Sequence, residues 1–167
     1  MRGQGTKQGA KPGRPKQMPA KKGRANEGRK SGGRAPQLRP IGAIRSVLNT
    51  RSQAPMQGIE GAPDAWLEVK PFAAQALDGL VVGNEIIILT WLHRARRDVM
   101  RVHPRSDRSR PLTGVFATRS PDRPNPIGLH RVTIRRIAKN RLRIGPIEAI
   151  DGTPVVDIKP VIGRSDE

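Results

Sequence analysis

Cysteine and tyrosine are absent from these 167 residues, and phenylalanine and tryptophan occur only twice each. The lack of cysteine excludes a disulfide framework, a thiolate nucleophile and any Cys-based zinc or iron–sulfur centre. Metal ligation would fall to three histidines and scattered carboxylates, none in an HExxH-like spacing, so no metal is expected. With so few aromatic rings, stacking on a nucleobase would fall to arginine or histidine. Long apolar runs are lacking too. The longest, Ile86 to Leu92 with Thr90 inside it, is too short to span a bilayer, and the N-terminus has no apolar h-region. These absences point to a soluble, cytoplasmic protein without a membrane partner.

Acidic residues are scarce, 14 against 32 Lys and Arg, which gives a formal net charge of +18. The natural partners of such a chain are polyanions or anionic small molecules, nucleic acid first among them. Much of the excess lies in residues 1–36, which hold eleven Lys or Arg, one acid (Glu27), eight Gly and four Pro. Met1 and Met18 are the only large apolar side chains there. Such a segment buries too little apolar area to offset its ordering entropy, so 1–36 is expected to be a disordered basic arm. Its net charge is +10, eleven minus one, leaving +8, 21 minus 13, for a domain over residues 37–167. The arm reads either as an electrostatic attachment that speeds association with RNA or DNA, or as a solubilising extension. Its Gly and Pro break the amphipathic helix that a transit peptide would need.

From Arg39 onward short apolar stretches alternate with Gly, Pro and Asp. "PIGAIRSV" (40–47), "AWLEVK" (65–70) and "HRVTIRRI" (130–137) show the period of two of half-buried strands, with Val132 and Ile134 inward. "NEIIILTWL" (84–92) is continuous and β-branched, which favours a buried strand. "RLRIGPIEAID" (141–151) and "TPVVDIKPV" (153–161) read as two more strands, set off by turns at Lys139-Asn140 and Asp151-Gly152. Trp66 and Trp91 fall in apolar strand patterns and are expected in the core. One helix is expected, over Phe72 to Leu80, with Phe72, Ala76 and Leu80 on one face. The fold class that follows is mainly β, a sheet closed into a barrel with one short helix.

The stretch "GVFATRSPDRPNPIGLHR" (114–131) combines Arg119, Arg123 and Arg131 with Pro121, Pro124 and Pro126. Each proline fixes φ and holds the residue before it extended, so Ser120 to Ile127 is a stiff loop between a strand at Gly114–Thr118 and another from Leu129. A loop stiffened this way holds Arg119, Arg123 and Asn125 with little entropy left to lose, as a recognition site requires. An arginine-rich surface loop with prolines blocking a sheet edge is the competing reading.

"GVFATRSPDRPNPIG" followed by "DGTPVVDIKP" resembles the paired signature of the TsaA-like (YaeB-like, TrmO) family of S-adenosylmethionine-dependent tRNA methyltransferases. "IGAIRS" (41–46), "APMQG" (54–58) and "TWLH" (90–93) are similar to further family segments, so the resemblance spans about residues 39–161. It implies a single-sheeted β-barrel that dimerises, binds the cofactor near the dimer interface and methylates the exocyclic nitrogen of threonylcarbamoyladenosine beside the anticodon. The lack of any GxGxxG after a strand agrees with a fold other than the Rossmann type.

Carried over by motif position, the cofactor residues fall on Pro55, Met56, Gln57, His93, Arg94, Arg119, Leu129, Glu148, Ala149, Ile150 and Asp151. Arg119 suits the cofactor carboxylate, Leu129 and Ile150 the adenine face, and main-chain groups near Ala149 and Asp151 its edge or the ribose. Deprotonation of the urea-like target nitrogen would fall to Asp151, Asp157 or His93, with Asn125 as a hydrogen-bonding alternative. Arg123, Arg96, Arg97 and Lys159 are candidates for the threonyl carboxylate or for phosphates of the tRNA anticodon stem-loop. Asp151 also reads as a turn residue, Asp157 with Lys159 as a surface ion pair, and His103 and His130 as structural. Three positions depart from the family pattern: Met56 for Arg, Arg94 for Gln and Val161 for Tyr. They leave open a non-catalytic RNA-binding barrel, or a methyltransferase with a small-molecule substrate.

Overall fold

Short strands with one apolar face bury that face most economically by closing on themselves, because closure also removes the unpaired edges. The computed structural model of the chain describes residues 37–162, so the expected basic arm at 1–36 lies outside the described residues. Among the described residues there are eight strands: β1 (Gly42–Arg45), β2 (Ala65–Val69), β3 (Glu85–Trp91), β4 (Arg101–Val102), β5 (Thr113–Gly114), β6 (Ile127–Ala138), β7 (Arg141–Gly145) and β8 (Pro154–Pro160). Six form a closed antiparallel barrel in the order β1-β2-β7-β6-β3-β8, and β4 pairs with β5 alone.

The alternation read from sequence sets the inside of the barrel. Ile44, Leu67, Ile86, Ile88, Ile134, Leu142, Ile144 and Val155 are fully buried there, each side chain contributing on the order of 1.5–3 kcal/mol. A six-stranded barrel is narrower than the eight-stranded kind whose interior is already filled by side chains. A ligand therefore has no room inside, and function must reside at a mouth or on the outer face. At one mouth meet the ends of β1, β3 and β7 and the starts of β2, β6 and β8. The connections 46–64, 92–126 and 146–153 all lie at that mouth.

Four local expectations are corrected. The helix is a 3₁₀ segment, Pro71–Leu77, with no buried residue. The residues that meet the core are Ala73, Leu77 and Leu80, while Phe72 turns outward beneath Arg39 at 3.7 Å. At Gly114–Thr118 only Gly114 is strand. Val115–Ala117 form a 3₁₀ turn that leaves Phe116 83% exposed. β7 stops at Gly145, since Pro146 has no N–H to continue the ladder, and Ile147 to Asp151 cross the mouth as irregular chain. Trp66 and Trp91 sit half-buried on the outer face, because Leu67 and Thr90 hold the inward phase. Their rings lie under arginines, Arg141 over Trp66 at 4.7 Å and Arg97 over Trp91 at 5.2 Å.

Candidate active site

Prolines in the 120–127 loop remove backbone donors and hold it extended, so its shape depends on side chains from elsewhere. Asp122 is the hub. Its carboxylate accepts from the Arg96 backbone N–H at 2.8 Å and from Arg51 at 2.9 Å. Burial alone would raise the Asp122 carboxyl, but the Arg51 hydrogen bond, the Arg96 amide and both charges outweigh it and hold it below the usual range. Arg123 returns its own N–H to the Arg96 carbonyl at 3.0 Å, and Leu92 donates to the Pro126 carbonyl at 2.8 Å. The Arg123 guanidinium donates at 2.6 Å to the carbonyls of both Val115 and Thr118, which fixes the turn before the loop. Arg94 reaches the Asn49 carbonyl at 2.8 Å. The connections 46–64 and 92–126 are thereby joined.

The third connection, 146–153, is joined through a buried polar chain. His130 points inward from β6 and is 5% exposed. Its Nδ1–H donates to Glu148 Oε1 at 2.8 Å, and its Nε2 shares a hydrogen bond with Thr90 Oγ1 at 2.9 Å. Gly58 packs against the same carboxylate, since a Cβ there would lie 3.2 Å from Glu148 Oε2. Burial alone would raise the Glu148 carboxyl, but the His130 hydrogen bond and charge, with the Glu148 and Gly58 amides, hold it below the usual range. The order Thr-His-Glu has the form of a nucleophilic triad, but Thr90 is fully buried and can meet no substrate. Its effect is to tie β3, β6, Gly58 and the 146–153 connection together. Two glycines make room for it. A Cβ at Gly128 would collide with Thr90 Oγ1 and His130 Nε2, and one at Gly58 would come within 2.8 Å of the Pro146 carbonyl oxygen.

The residues expected from sequence therefore divide into groups. Met56, Gln57, His93, Arg94 and Arg119 are exposed at the mouth, with Pro55 half-buried beside them. Arg119 has no hydrogen-bond or ion-pair partner among the described residues. Burial, and then the charge of Arg94, push the His93 imidazole below the usual histidine range, which favours its neutral form. Ala149 and Ile150 are 4% and 8% exposed, so neither side chain faces a ligand, and the Ile150 carbonyl is engaged by the Thr153 N–H and hydroxyl. Asp151 is a turn residue: its Oδ1 accepts from the Ser46 N–H at 3.1 Å and its own N–H donates to Leu48. Leu129 is 46% exposed on the outer face, and the register Leu129–Leu89–Asp157 sets Asp157 two strands away in the same row. Asp157 holds Lys159 at 2.8 Å. Arg96 pairs with Asp98, Arg97 covers Trp91, and Asn125 is exposed with its carbonyl accepting from Ile127.

His103 accords with a structural reading, its Nδ1 2.7 Å from the Arg110 carbonyl. His130 accords with a structural reading too, within the buried chain that joins Thr90 to Glu148. The one signal for it was its parity: counted in steps of two from Val132 and Ile134, position 130 faces inward. No three His, Asp or Glu gather as metal ligands among the described residues, and no helix among them is long and apolar enough to cross a membrane.

Residues 43–167 match the model of the tRNA-methyltransferase O N-terminal domain. The chain belongs to that family. It is 45% identical over 125 residues to an Archaeoglobus fulgidus protein named S-adenosyl-L-methionine-binding protein, covering 73% of this chain and 86% of the relative. A Methanothermobacter thermautotrophicus protein named probable S-adenosyl-L-methionine-binding protein is 44% identical over 123 residues, 74% of this chain and 88% of that one. Among solved structures, TrmO from Pseudomonas aeruginosa superimposes with a TM-score of 0.62 at 32% identity. That likeness takes in 80% of this chain and 59% of the Pseudomonas one. Family membership accounts for the mainly β closed barrel and for the Arg-Pro loop at its mouth.

Proposed function

We propose that this protein transfers the methyl group of S-adenosylmethionine to the exocyclic nitrogen of threonylcarbamoyladenosine beside the anticodon of tRNA. The observation that carries this reading is the meeting at one mouth of the segments that the family resemblance assigns to the cofactor, beside an Arg119 that has no partner among the described residues. The relatives' names supply the cofactor, and the family's description supplies the class of substrate.

The donor set fits the cofactor. Arg119, without a partner among the described residues, offers its guanidinium for the cofactor carboxylate, and Met56 and Leu129 offer exposed apolar surface for the adenine. When bound, S-adenosylmethionine supplies an electrophilic methyl carbon on a sulfonium. The chain's part is alignment, which in favourable cases supplies roughly 7–11 kcal/mol of barrier lowering, and removal of one proton. Of the acceptors expected from sequence, His93 suits that task best. It is exposed at the mouth and kept neutral, whereas Asp151 is engaged by Ser46 and Asp157 by Lys159. Arg123 is spent on carbonyls, so a substrate anion falls to Arg96 or Arg97 at the rim.

A cytoplasmic homodimer belongs to the same reading. The outer face of β3 and β6 carries Ile87, Leu89, Trp91, Ile127 and Leu129 in adjacent register, an apolar patch that a second copy would cover. Leu129 would then stand at the interface, which agrees with a cofactor bound near it.

Calorimetric titration with S-adenosylmethionine, on the wild type and on Arg119→Ala, tests the cofactor. Saturable binding lost in the variant is expected. Incubation with tRNA carrying threonylcarbamoyladenosine, read by mass spectrometry for one added methyl, tests the reaction. A second reading draws on Met56, Arg94 and Val161, which depart from the family's residues. Intact tRNA binding without cofactor binding would establish that reading, a barrel that holds RNA without modifying it.

A further inference from the structure

The arginines of this domain serve two different ends. Most of those in the 92–126 connection are engaged within the protein: Arg96 with Asp98, Arg105 with Glu60, Arg110 with Asp107, Arg101 with the Leu112 carbonyl, and Arg123 with Val115 and Thr118. They hold loops in place. On the barrel wall the arrangement differs. Cross-strand register sets Arg45, Trp66, Arg143 and Arg136 side by side on β1, β2, β7 and β6, one row across four strands of the outer face. With neighbouring strands about 4.8 Å apart, the row extends roughly 14 Å. Arg141 lies over the Trp66 ring one pair further along.

The β6 bulge at Ile134/Arg136 adds Arg135, exposed beside Arg136, and the β6–β7 turn adds Lys139. Three carboxylates answer this group. Glu68 pairs with Arg45 and Arg141, Asp64 with Arg143, and Asp151 lies 4.0 Å from Arg45. Arg135, Arg136 and Lys139 have no ion-pair partner among the described residues. The opposite wall is neutral by comparison, with Arg131 on Glu85 and Lys159 on Asp157 around its apolar row. The excess cation of the barrel is thus concentrated on one wall. That wall reaches the candidate site, because Arg45 closes β1 at the mouth and its neighbour Asp151 belongs to the 146–153 connection.

We infer that the outer face of β1-β2-β7-β6 is the surface on which the RNA substrate docks, its phosphates along the arginine row and its modified nucleoside delivered past Arg45 to the mouth. The inference rests on the tRNA-methyltransferase reading and adds where the RNA lies. An RNA backbone matches the surface because it presents a line of regularly spaced anions. Arginine forks take phosphate oxygens bidentately, and they accommodate the duplex part of a stem by shape and charge rather than by sequence. The half-exposed carboxylates among the arginines keep the unliganded wall from repelling itself and are displaced as phosphates arrive.

The test compares the full chain with Arg135→Gln/Arg136→Gln/Lys139→Gln, exposed positions that hold no ion pair among the described residues. The control is the loop variant Arg101→Gln/Arg105→Gln/Arg110→Gln. Binding of a transcribed tRNA is measured over a series of salt concentrations. The wall variant is expected to weaken binding about tenfold or more near physiological salt and to reduce the slope of log K against log salt by about two to three. Its S-adenosylmethionine affinity stays unchanged, and the loop control matches the wild type. Wild-type affinity and slope in the wall variant, with or without a loss in the loop control, would overturn the inference while leaving the methyltransferase reading intact. Failure of the wild type to bind tRNA would overturn the RNA reading itself. A wall variant that loses binding to phosphatidylserine vesicles but not to tRNA would overturn the inference too, and make this wall a membrane-facing one.

Discussion

His93 and His130 show how far a single residue's role depends on what surrounds it. His93 was picked out by its motif, and its lowered basicity, from burial and then from Arg94, fits a proton acceptor at neutral pH. Methyl transfer is therefore expected to persist below the usual histidine range and then to fall with acid through the His93 titration. In His93→Gln the rate should drop by about 10²–10⁴, and the acid limb of the kcat/KM profile should disappear. An unchanged limb in that variant would rule the assignment out. His130 has a clear role only once Thr90 and Glu148 are seen beside it. His130→Ala leaves the buried Thr90 hydroxyl and the partly buried Glu148 carboxylate without this partner, and a loss of about 2–4 kcal/mol in urea unfolding is expected. Glu148 adds a pH signature. Its folded carboxyl lies below its unfolded one, so its contribution is complete above the ordinary glutamate range and is lost as pH falls through the folded value. The wild type should lose stability in acid that Glu148→Gln does not.

Among the elements, the six barrel strands were legible because period-two alternation and β-branched runs report directly on burial. Three segments were not. Phe72 to Leu80 has helical spacing, but the connection 70–84 between β2 and β3 forms a 3₁₀ segment that packs Ala73, Leu77 and Leu80 against the core. "GVFAT" has strand residues, yet Arg123 captures two of its carbonyls, from eight and five residues away, and the segment curls. "RLRIGPIEAID" runs past a proline that ends the ladder. Trp66 and Trp91 lie outside the core for a related reason: size and hydrophobic character do not set the phase of a strand, which Leu67 and Val69 fix in β2 and Ile86 and Ile88 in β3. The apolar outer row on β3 and β6 makes its own prediction. Ile127→Glu, on the row yet outside the cofactor residues, should shift the protein from dimer to monomer in sedimentation at micromolar concentration. A wild type that sediments as a monomer there would remove the dimer from the reading.

In the molecule taken whole, charge has two locations with separable effects. The arm at 1–36 carries +10 of the +18, and its deletion is expected to weaken tRNA binding and reduce the salt slope while S-adenosylmethionine affinity holds. Equal tRNA affinity of the two chains at physiological salt would leave the arm a solubilising extension. Composition, alternation and two long motifs were enough to establish a basic, mainly β barrel of this family, since those properties are local in the chain or summed over it. The candidate site was legible only as a set of motif positions. Which of them face a ligand was decided by tertiary structure. Arg119 stays free while Arg123 is consumed, Ile150 is buried while Leu129 is exposed, and His130 becomes the centre of a buried polar chain. Each of those outcomes depends on a partner 18 or more residues away, or on the phase and closure of the sheet. The exception is Arg123, whose partners lie within the same connection and were hidden only by its fold. Side-chain pairing across a closed barrel is a property of register, and register is set by the folded sheet as a whole.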